Sequence, residues 1–148
     1  MPTLSHMLWF DGNAEEAATF YTELFSGKIH NVARGAEGKA FTVNFEILGA
    51  PYIALNGGPQ FSFNEAFSIF ITVDGQDEVD HYWNALIADG GEEGRCGWLK
   101  DKFGLSWQII PQQLGEFLGN SDPAVSGFAM QAMMKMSKIE ISQLSATL

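Results

Sequence analysis

Residues 9–27 decide the fold of this chain. They read WFDGNAEEAATFYTELFSG, and the same pattern returns as TVDGQDEVDHYWNALIADG at residues 72–90. The matching positions keep one constant offset of 63 residues, which takes Asp11, Gly12 and Gly27 to Asp74, Gly75 and Gly90 and takes Phe20 and Leu24 to Trp83 and Ile87. Self-similarity at a fixed period indicates two copies of one structural unit.

The first copy predicts a strand, a helix and three further strands. Apolar residues 4–10 form the first strand, and apolar residues at helical spacing then continue until Gly27 supplies a stop signal. Asn13 and Glu16 have the spacing of a capping box at the start of this helix. The later strands are predicted at 28–33, 41–48 and 52–56.

The second copy repeats this order of elements. A strand at 68–73 precedes a helix that ends at Gly90-Gly91, and residues 101–104 form a turn between the last two strands. Those later strands are predicted near 92–95, 96–100 and 105–111. Each copy therefore reads βαβββ.

We predict an α+β fold in which two βαβββ modules form a curved mixed sheet around a central cavity, with helices on the outside. The chain is expected to be a single domain, residues 1–148. Within it we expect a first module at 4–57, a connecting loop at 58–67, a second module at 68–111 and a C-terminal helical extension at 112–148.

Charge and cysteine content narrow the class of protein. Eight basic and 18 acidic residues give a formal charge of −10, which disfavours nucleic acid and anionic membrane surfaces as partners. Cys96 is the single cysteine, so no intramolecular disulfide can form. The N-terminus has no basic segment followed by an apolar run, and no window reaches the roughly 20 apolar residues of a membrane span. We expect a cytoplasmic protein.

Four segments carry a family resemblance: LWFDGNAEEAATFYTELF (8–25), ALNGGPQFSFNEAFS (54–68), DGQDEVDHYWNAL (74–86) and CGWLKDKFGLSWQIIP (96–111). They resemble the PhnB-like branch of the vicinal oxygen chelate superfamily, which also contains glyoxalase I, extradiol dioxygenases and bleomycin-resistance proteins. The resemblance implies paired βαβββ modules and a homodimer. Many such sequences are labelled 3-demethylubiquinone methyltransferase, but this chain lacks the glycine-rich strand-to-helix turn that usually seats S-adenosylmethionine.

The resemblance also bears on metal binding. Catalytic relatives hold a divalent metal through inward side chains on strands one, four, five and eight, and His6 matches the first of these positions, with a register open by one residue. The others fall near Ala54, Ser68 and Gln108. One good ligand is too few for a stable divalent site, so we expect no metal and no cofactor. If Gln108 points inward, its amide would bind a ligand by hydrogen bonds instead.

Several aromatic and polar residues are candidates for the pocket. For Trp98 and Trp107, core packing competes with an aromatic wall. Lys100 and Asp101 could anchor a ligand or form an exposed ion pair at the hairpin tip, and Cys96 suits a buried small hydrophobe better than a nucleophile. The strand at 96–100 could turn either face inward. The complete set of pocket candidates is His6, Asn56, Phe61, Asn64, Phe67, Trp98, Lys100, Trp107 and Gln108.

Two aromatic or methionine-rich segments lie outside the modules. The linker at 56–67 is predicted to form either a pocket wall or a structural cover. Asp122-Pro123 predicts the start of a helix whose apolar stripe fills core gaps or packs across a dimer interface. The stripe consists of Val125, Phe128, Ala129, Ala132, Met133 and Met136.

These features predict a metal-free protein that binds a small organic molecule in a cavity between the modules, with capture of a cationic compound as one version. No catalytic residue is assigned. The alternative is a metal-dependent glyoxalase-, isomerase- or dioxygenase-type enzyme whose shifted ligand set includes His6 and Glu46 or a group of the partner chain. A third possibility is a structural dimer with a collapsed cavity.

Overall fold

The computed structural model describes residues 1–146. The chain divides into two compact units, Met1–Phe63 and Asn64–Leu148. The last two residues of the predicted C-terminal extension, Thr147 and Leu148, lie outside the described residues. Between residues 1 and 146, no helix combines the length and the apolar character needed to cross a membrane.

The first unit is one βαβββ module. Its sheet has the order β1-β4-β3-β2, in which β1 runs parallel to β4 and the other neighbours are antiparallel. A short 3₁₀ turn, Ala36–Gly38, lies between the second and third strands. The elements are β1 (His6–Phe10), α1 (Ala14–Leu24), β2 (Lys28–Arg34), β3 (Ala40–Ile47) and β4 (Ala50–Asn56).

Alternation along the strands builds the core of this unit. Every second residue of a strand points to the same face, and the buried sets of β1, β3 and β4 face α1. Ala17, Ala18 and Tyr21 of the helix meet that face. The buried strand residues are Leu8, Phe10, Val43, Phe45, Ile47, Tyr52 and Ala54.

The N-terminus of α1 is not capped by the capping box that the sequence predicts. Asn13 makes no side-chain cap hydrogen bond. Instead, the Asn56 side chain at the end of β4 accepts a hydrogen bond from the Ala14 amide at 2.9 Å and donates one to the Ala40 carbonyl at 2.9 Å. The capping-box prediction was wrong because a residue 42 positions away in sequence competes for the same amide.

The second unit repeats the module. Its sheet has the order β5-β8-β7-β6, with β5 parallel to β8 and the rest antiparallel. β5 begins and ends 63 residues after β1, and α2 ends 63 residues after α1, so the repeat found in the sequence is structural. The elements are β5 (Ile69–Val73), α2 (Gln76–Ile87), β6 (Glu92–Glu93), β7 (Trp98–Lys100) and β8 (Ser106–Pro111). The α+β class and the two βαβββ modules are confirmed.

The outer antiparallel pair of strands is much shorter here than in the first unit. β6 and β7 contain two and three residues, whereas β2 and β3 contain seven and eight. Cys96 and Gly97, predicted to begin a strand, have left-handed φ values of +57° and +86°. Their amides donate to the Met136 and Ser137 carbonyls, at 2.8 Å each, rather than to β6.

The C-terminal extension packs on the second unit. The predicted C-terminal helices are confirmed, although the sequence analysis did not locate the first of them, α3 (Gln112–Leu118). It did predict the start of the second, α4 (Pro123–Met133), where the Asp122 side chain caps the Ala124 amide at 2.9 Å. Of the predicted stripe, Ala129 and Met136 are buried, whereas Phe128 is 43% exposed. The extension has its own apolar cluster, formed by Leu114, Ala129, Met136, Ile139 and Leu144.

Candidate functional site

A cavity of about 460 Å³ lies in the second unit. Most of the segment from Glu92 to Lys100 bounds it, together with Glu65 and Ser106. This volume falls within the roughly 300–1,000 Å³ that small-molecule pockets occupy. Its floor and one wall come from the shortened β6–β7 edge of the sheet.

Alternation along β7 decides which side chains face the cavity. Leu99 is buried on the helix side of the sheet, while Trp98 and Lys100 are half-buried on the other side. Trp98 pairs with Gln108 and Lys100 pairs with Ser106 across the β7–β8 ladder. The indole ring, the ammonium group and the Ser106 hydroxyl therefore share one face of the second sheet.

Ser106 is the unusual residue of this face. It is 1% exposed, and its hydroxyl has no hydrogen-bond partner within the described part of the chain. Leaving a buried hydroxyl without a partner costs about 1–3 kcal/mol. Because Ser106 borders the cavity, a polar atom of a bound molecule could accept or donate the missing hydrogen bond.

An ion pair stands beside this hydroxyl. The Lys100 ammonium contacts the Glu65 carboxylate, with side-chain exposures of 39% and 61%. The hydrogen bond from Lys100 lowers the pKa of Glu65 below its usual value, and Glu65 in turn raises the pKa of Lys100, with a smaller contribution from Glu92. Both groups are therefore charged at neutral pH.

Asp101 has a structural role, and its predicted exposed ion pair with Lys100 was wrong. Asp101 is 2% exposed, and its carboxylate accepts hydrogen bonds from the Phe103 amide at 2.8 Å, the Leu105 amide at 3.1 Å and the Trp107 indole nitrogen at 2.9 Å. The Asp101 carboxylate of the 96–111 hairpin is thus buried together with its three donors. A carboxylate that accepts three N–H groups is stable in such a place.

The other second-unit candidates lie in three different environments. Trp107 is fully buried in the core and does not border the cavity. The Gln108 amide donates to the Ser68 hydroxyl at 3.0 Å. In the loop before β5, Asn64 accepts a hydrogen bond from the Ala66 amide at 2.9 Å, and Phe67 is 42% exposed.

The first-unit candidates have local partners in their own unit. Phe61 packs edge-on against Trp9, with ring centroids 4.9 Å apart, and is 64% exposed. Asn56 is occupied by the cap of α1. The His6 ring lies 5.9 Å from the Tyr52 ring, on the helix side of the first sheet.

The side chains at the four family metal positions do not fit a divalent ion. Ala54, fully buried, offers no ligand atom, and Ser68 and Gln108 bond to each other. His6 and Glu46 of the shifted set do not converge, because Glu46 bonds to His30 at 2.6 Å on the face of the first sheet opposite His6. Within residues 1–146, no group of three or more His, Cys, Asp or Glu side chains is placed to hold a metal.

Of the residues that line this cavity, the sequence analysis proposed only Trp98 and Lys100 for a pocket, and it missed Ser106 and Glu65 among others. A signal existed for Ser106, because a lone hydroxyl in the otherwise apolar alternation of 105–111 is typical of a polar group with a specific partner. Nothing in the sequence places Glu65 beside Lys100, since that contact depends on the path of a loop.

Two units with this strand order define a glyoxalase-like fold. The fold is similar to a glyoxalase-related enzyme from Fulvimarina pelagi, at a TM-score of 0.51 and 19% identity over 75% of this chain and 88% of that one. It is also similar to the fosfomycin resistance protein FosX from Listeria monocytogenes, at a TM-score of 0.56 and 18% identity over 74% of this chain and 92% of that one.

Residues 2–110 match the model of the 3-demethylubiquinone-9 3-methyltransferase family, and the chain belongs to this PhnB-like family. A putative 3-demethylubiquinone-9 3-methyltransferase, the PhnB protein from Bacillus cereus, is similar at a TM-score of 0.69 and 28% identity. The similarity covers 99% of that protein but 74% of this chain. No curated protein sequence matches the chain significantly.

Proposed function

We propose that this protein binds a small, mainly apolar organic molecule in the cavity of its second unit, without a metal ion. The observation that carries the proposal is the Ser106 hydroxyl, which is buried at the cavity without a partner among the described residues. A buried hydroxyl without a partner lowers the stability of the fold, whereas a hydrogen bond to a ligand offsets this loss. Trp98 supplies an aromatic surface beside it.

The charges around the cavity favour a neutral or cationic ligand. Three carboxylates border it, those of Glu65, Glu92 and Glu93, against the two cations Arg95 and Lys100. Lys100 is already paired with Glu65, and the whole chain carries a formal charge of −10. An anionic ligand would have to displace Glu65 and approach against this field.

The structure offers less support for the alternative functions. A metal-dependent reaction needs several ligands around one point, and the side chains at the family positions do not provide them. Methyl transfer from S-adenosylmethionine commonly uses a glycine-rich turn in a doubly wound parallel sheet. Both units instead have mixed four-stranded sheets. The homodimer stays a prediction, which light scattering of the purified protein would test.

The test is a titration with N-phenyl-1-naphthylamine, a neutral fluorophore whose N–H can donate to a hydroxyl. We expect Ser106→Ala to weaken binding about fivefold through loss of one hydrogen bond. Trp98→Ala should weaken it further through loss of aromatic contact. The matched controls are Ser68→Ala and Phe70→Ala, which alter a hydroxyl and an aromatic ring of the same unit that do not border the cavity.

Two further readouts separate binding from a purely structural role. Ser106→Ala should leave the melting temperature unchanged or raise it, because the variant removes a buried hydroxyl that has no partner. The bound fluorophore should also slow alkylation of Cys96 by iodoacetamide, since Cys96 borders the cavity. Failure of the wild-type protein to bind any neutral or cationic aromatic probe, or equal effects in the controls, would overturn the proposal.

A further inference from the structure

The C-terminal extension holds one wall of the cavity. Gly94, Arg95 and Cys96 form that wall, and they connect β6 to β7. The Cys96 amide donates to the Met136 carbonyl, and the next amide, Gly97, donates to the Ser137 carbonyl. The Ser137 hydroxyl donates to the Gly94 carbonyl at 2.5 Å. Three hydrogen bonds thus fasten the segment 94–97, through Gly94, Cys96 and Gly97, to two residues of the extension.

The same part of the extension is anchored to α2. Both ends of the Gln76 amide are used, with the nitrogen donating to the Ile139 carbonyl at 2.9 Å and the oxygen accepting from the Ile141 amide at 2.8 Å. Lys138 pairs with Asp80 at 2.9 Å. We call residues 136–141 the clasp, because they connect the helix on one side to the cavity wall on the other.

Close packing fixes the wall against the clasp. Gly97 has a φ of +86°, and a Cβ atom there would lie 2.5 Å from the Ile110 Cδ1 atom and 3.3 Å from the Ile139 Cγ1 atom. The wall therefore passes between β8 and the clasp with no room for a side chain. Ile139 is itself fully buried in the cluster of the extension, so the clasp is part of a packed core.

The clasp lies beyond the family module. The family match ends at residue 110, and the Bacillus cereus relative is covered almost completely by 74% of this chain. We infer that the clasp is a specificity-determining addition of this chain: Ser137 and the backbone of Met136 position the 94–97 wall and so set the shape of the cavity. This inference rests on the proposed function, because it concerns the same cavity.

Ser137→Ala is the direct test in the full-length protein. We expect alkylation of Cys96 by iodoacetamide to become about fivefold faster and N-phenyl-1-naphthylamine binding to weaken by a similar factor, the size expected for one lost hydrogen bond. Ser137→Thr keeps the hydroxyl and should restore both values. Ser142→Ala is the matched control, because Ser142 is an exposed serine just beyond the clasp and should behave like the wild type.

Hydrogen exchange tests the clasp without any ligand and without a variant. The Cys96 and Gly97 amides of the wild-type protein should exchange at least about 100-fold more slowly than unprotected amides. In Ser137→Ala these two amides should exchange faster, while the Ile109 amide in the neighbouring strand stays unchanged.

The outcomes separate this inference from the proposed function. If the wild type binds the fluorophore but Ser137→Ala alters neither binding nor Cys96 alkylation, the role of the clasp is contradicted and the cavity proposal stands. If Ser142→Ala has the same effect as Ser137→Ala, or if the wild-type Cys96 and Gly97 amides exchange at unprotected rates, the clasp is likewise contradicted. If no probe binds but the amides are protected as expected, the cavity proposal fails and the role in shaping a ligand site fails with it.

Discussion

The edge hairpins of the two sheets show how one topology produces two different surfaces. In the first unit, β2 and β3 are seven and eight residues long and pair along most of their length. In the second unit, β6 and β7 pair through two residues each, and the chain between them turns away through left-handed backbone at Cys96 and Gly97. The shortened edge leaves backbone groups that bond to the extension and a space that becomes the cavity.

The comparison shows that both copies of a repeat can keep the same fold although one of them has a much shorter strand pairing. In this protein, the copy with the short pairing contains the cavity. Backbone N–H groups that leave a ladder must find other partners when buried. Residues 136–137 supply those partners in the second unit, whereas the first unit satisfies its ladder with its own strands. Four substitution experiments can break or sharpen this contrast.

The largest effect is expected at the turns before the last strand of each unit. Asp101→Ala should lower the free energy of unfolding by about 3–5 kcal/mol, because three buried N–H groups lose their acceptor. The corresponding turn of the first unit uses Leu48 and Gly49, both with positive φ and no buried carboxylate. Leu48→Asn should therefore be neutral or slightly stabilising, since Asn suits left-handed backbone.

Urea denaturation of both variants checks this prediction. A loss below about 1 kcal/mol for Asp101→Ala would fall in the range of an ordinary surface substitution and would show that the carboxylate is dispensable.

A smaller effect is expected at two glycines that share left-handed backbone. Gly97→Ala should destabilise by about 2–3 kcal/mol, because strain at positive φ adds to contact with Ile110 and Ile139. Gly38 in the first unit also has a positive φ, +76°, but open space surrounds it, so Gly38→Ala should cost about 1 kcal/mol. Equal losses in thermal unfolding would mean that the 94–97 wall is not held closely by the clasp.

Asn13 and Asn56 both lie near the N-terminus of α1, but only the Asn56 side chain caps the helix. Asn56→Ala should destabilise by about 1–2 kcal/mol, since it removes the cap of the Ala14 amide and the bond to the Ala40 carbonyl. Asn13→Ala should change stability little, because the Asn13 side chain makes no cap hydrogen bond. If Asn13→Ala were the more destabilising variant in chemical denaturation, the result would instead support the local cap that the sequence pattern predicts.

The smallest effect concerns the ion pair that anchors the clasp. Hydrogen bonds from Gln76 and Lys138 lower the pKa of Asp80, and Asp80 raises the pKa of Lys138. A depressed carboxyl pKa stabilises the fold above the unfolded-state value, and the contribution is lost as the pH falls through the lowered value. The raised pKa of Lys138 matters at high pH, because its stabilising contribution is lost only as the pH rises above the usual lysine range.

Asp80→Asn should therefore lower the melting temperature by about 1–3 °C at pH 7, as expected for an exposed pair, and by less below pH 4. Thermal scans of the variant and the wild type from pH 3 to pH 8 measure the difference. A difference that grows as the pH falls would contradict the assignment.

Local sequence signals predicted the fold well because both copies carry the same apolar spacing and the same turn and helix-stop residues. The constant offset from Asp11 to Asp74 is a property of residue types, so it can be read without coordinates. The predicted start of α4 at Asp122-Pro123 succeeded for the same reason. The short helix α3 was missed because its seven residues include Gly115 and follow a proline directly, which weakens a helical pattern.

The site was harder to predict because its decisive contacts join distant residues. Asp101 looked like an exposed charge beside Lys100, yet its partners are the Trp107 indole and two turn amides. Lys100 meets Glu65, which lies 35 positions earlier in the chain. The strand predicted from Cys96 begins at Trp98 because the extension, some 40 residues later, takes the two preceding amides.

The indole N–H resonances of the four tryptophans test the central claim most directly, because they report on both units in one ¹H–¹⁵N spectrum. On addition of N-phenyl-1-naphthylamine, Trp98 should shift most, and Trp83 should follow because its N–H donates to Glu93 at the cavity. Trp9 in the first unit and the buried Trp107 should not move. A dominant shift of Trp9, or no shift of Trp98 at saturating fluorophore, would contradict a binding site in the second unit.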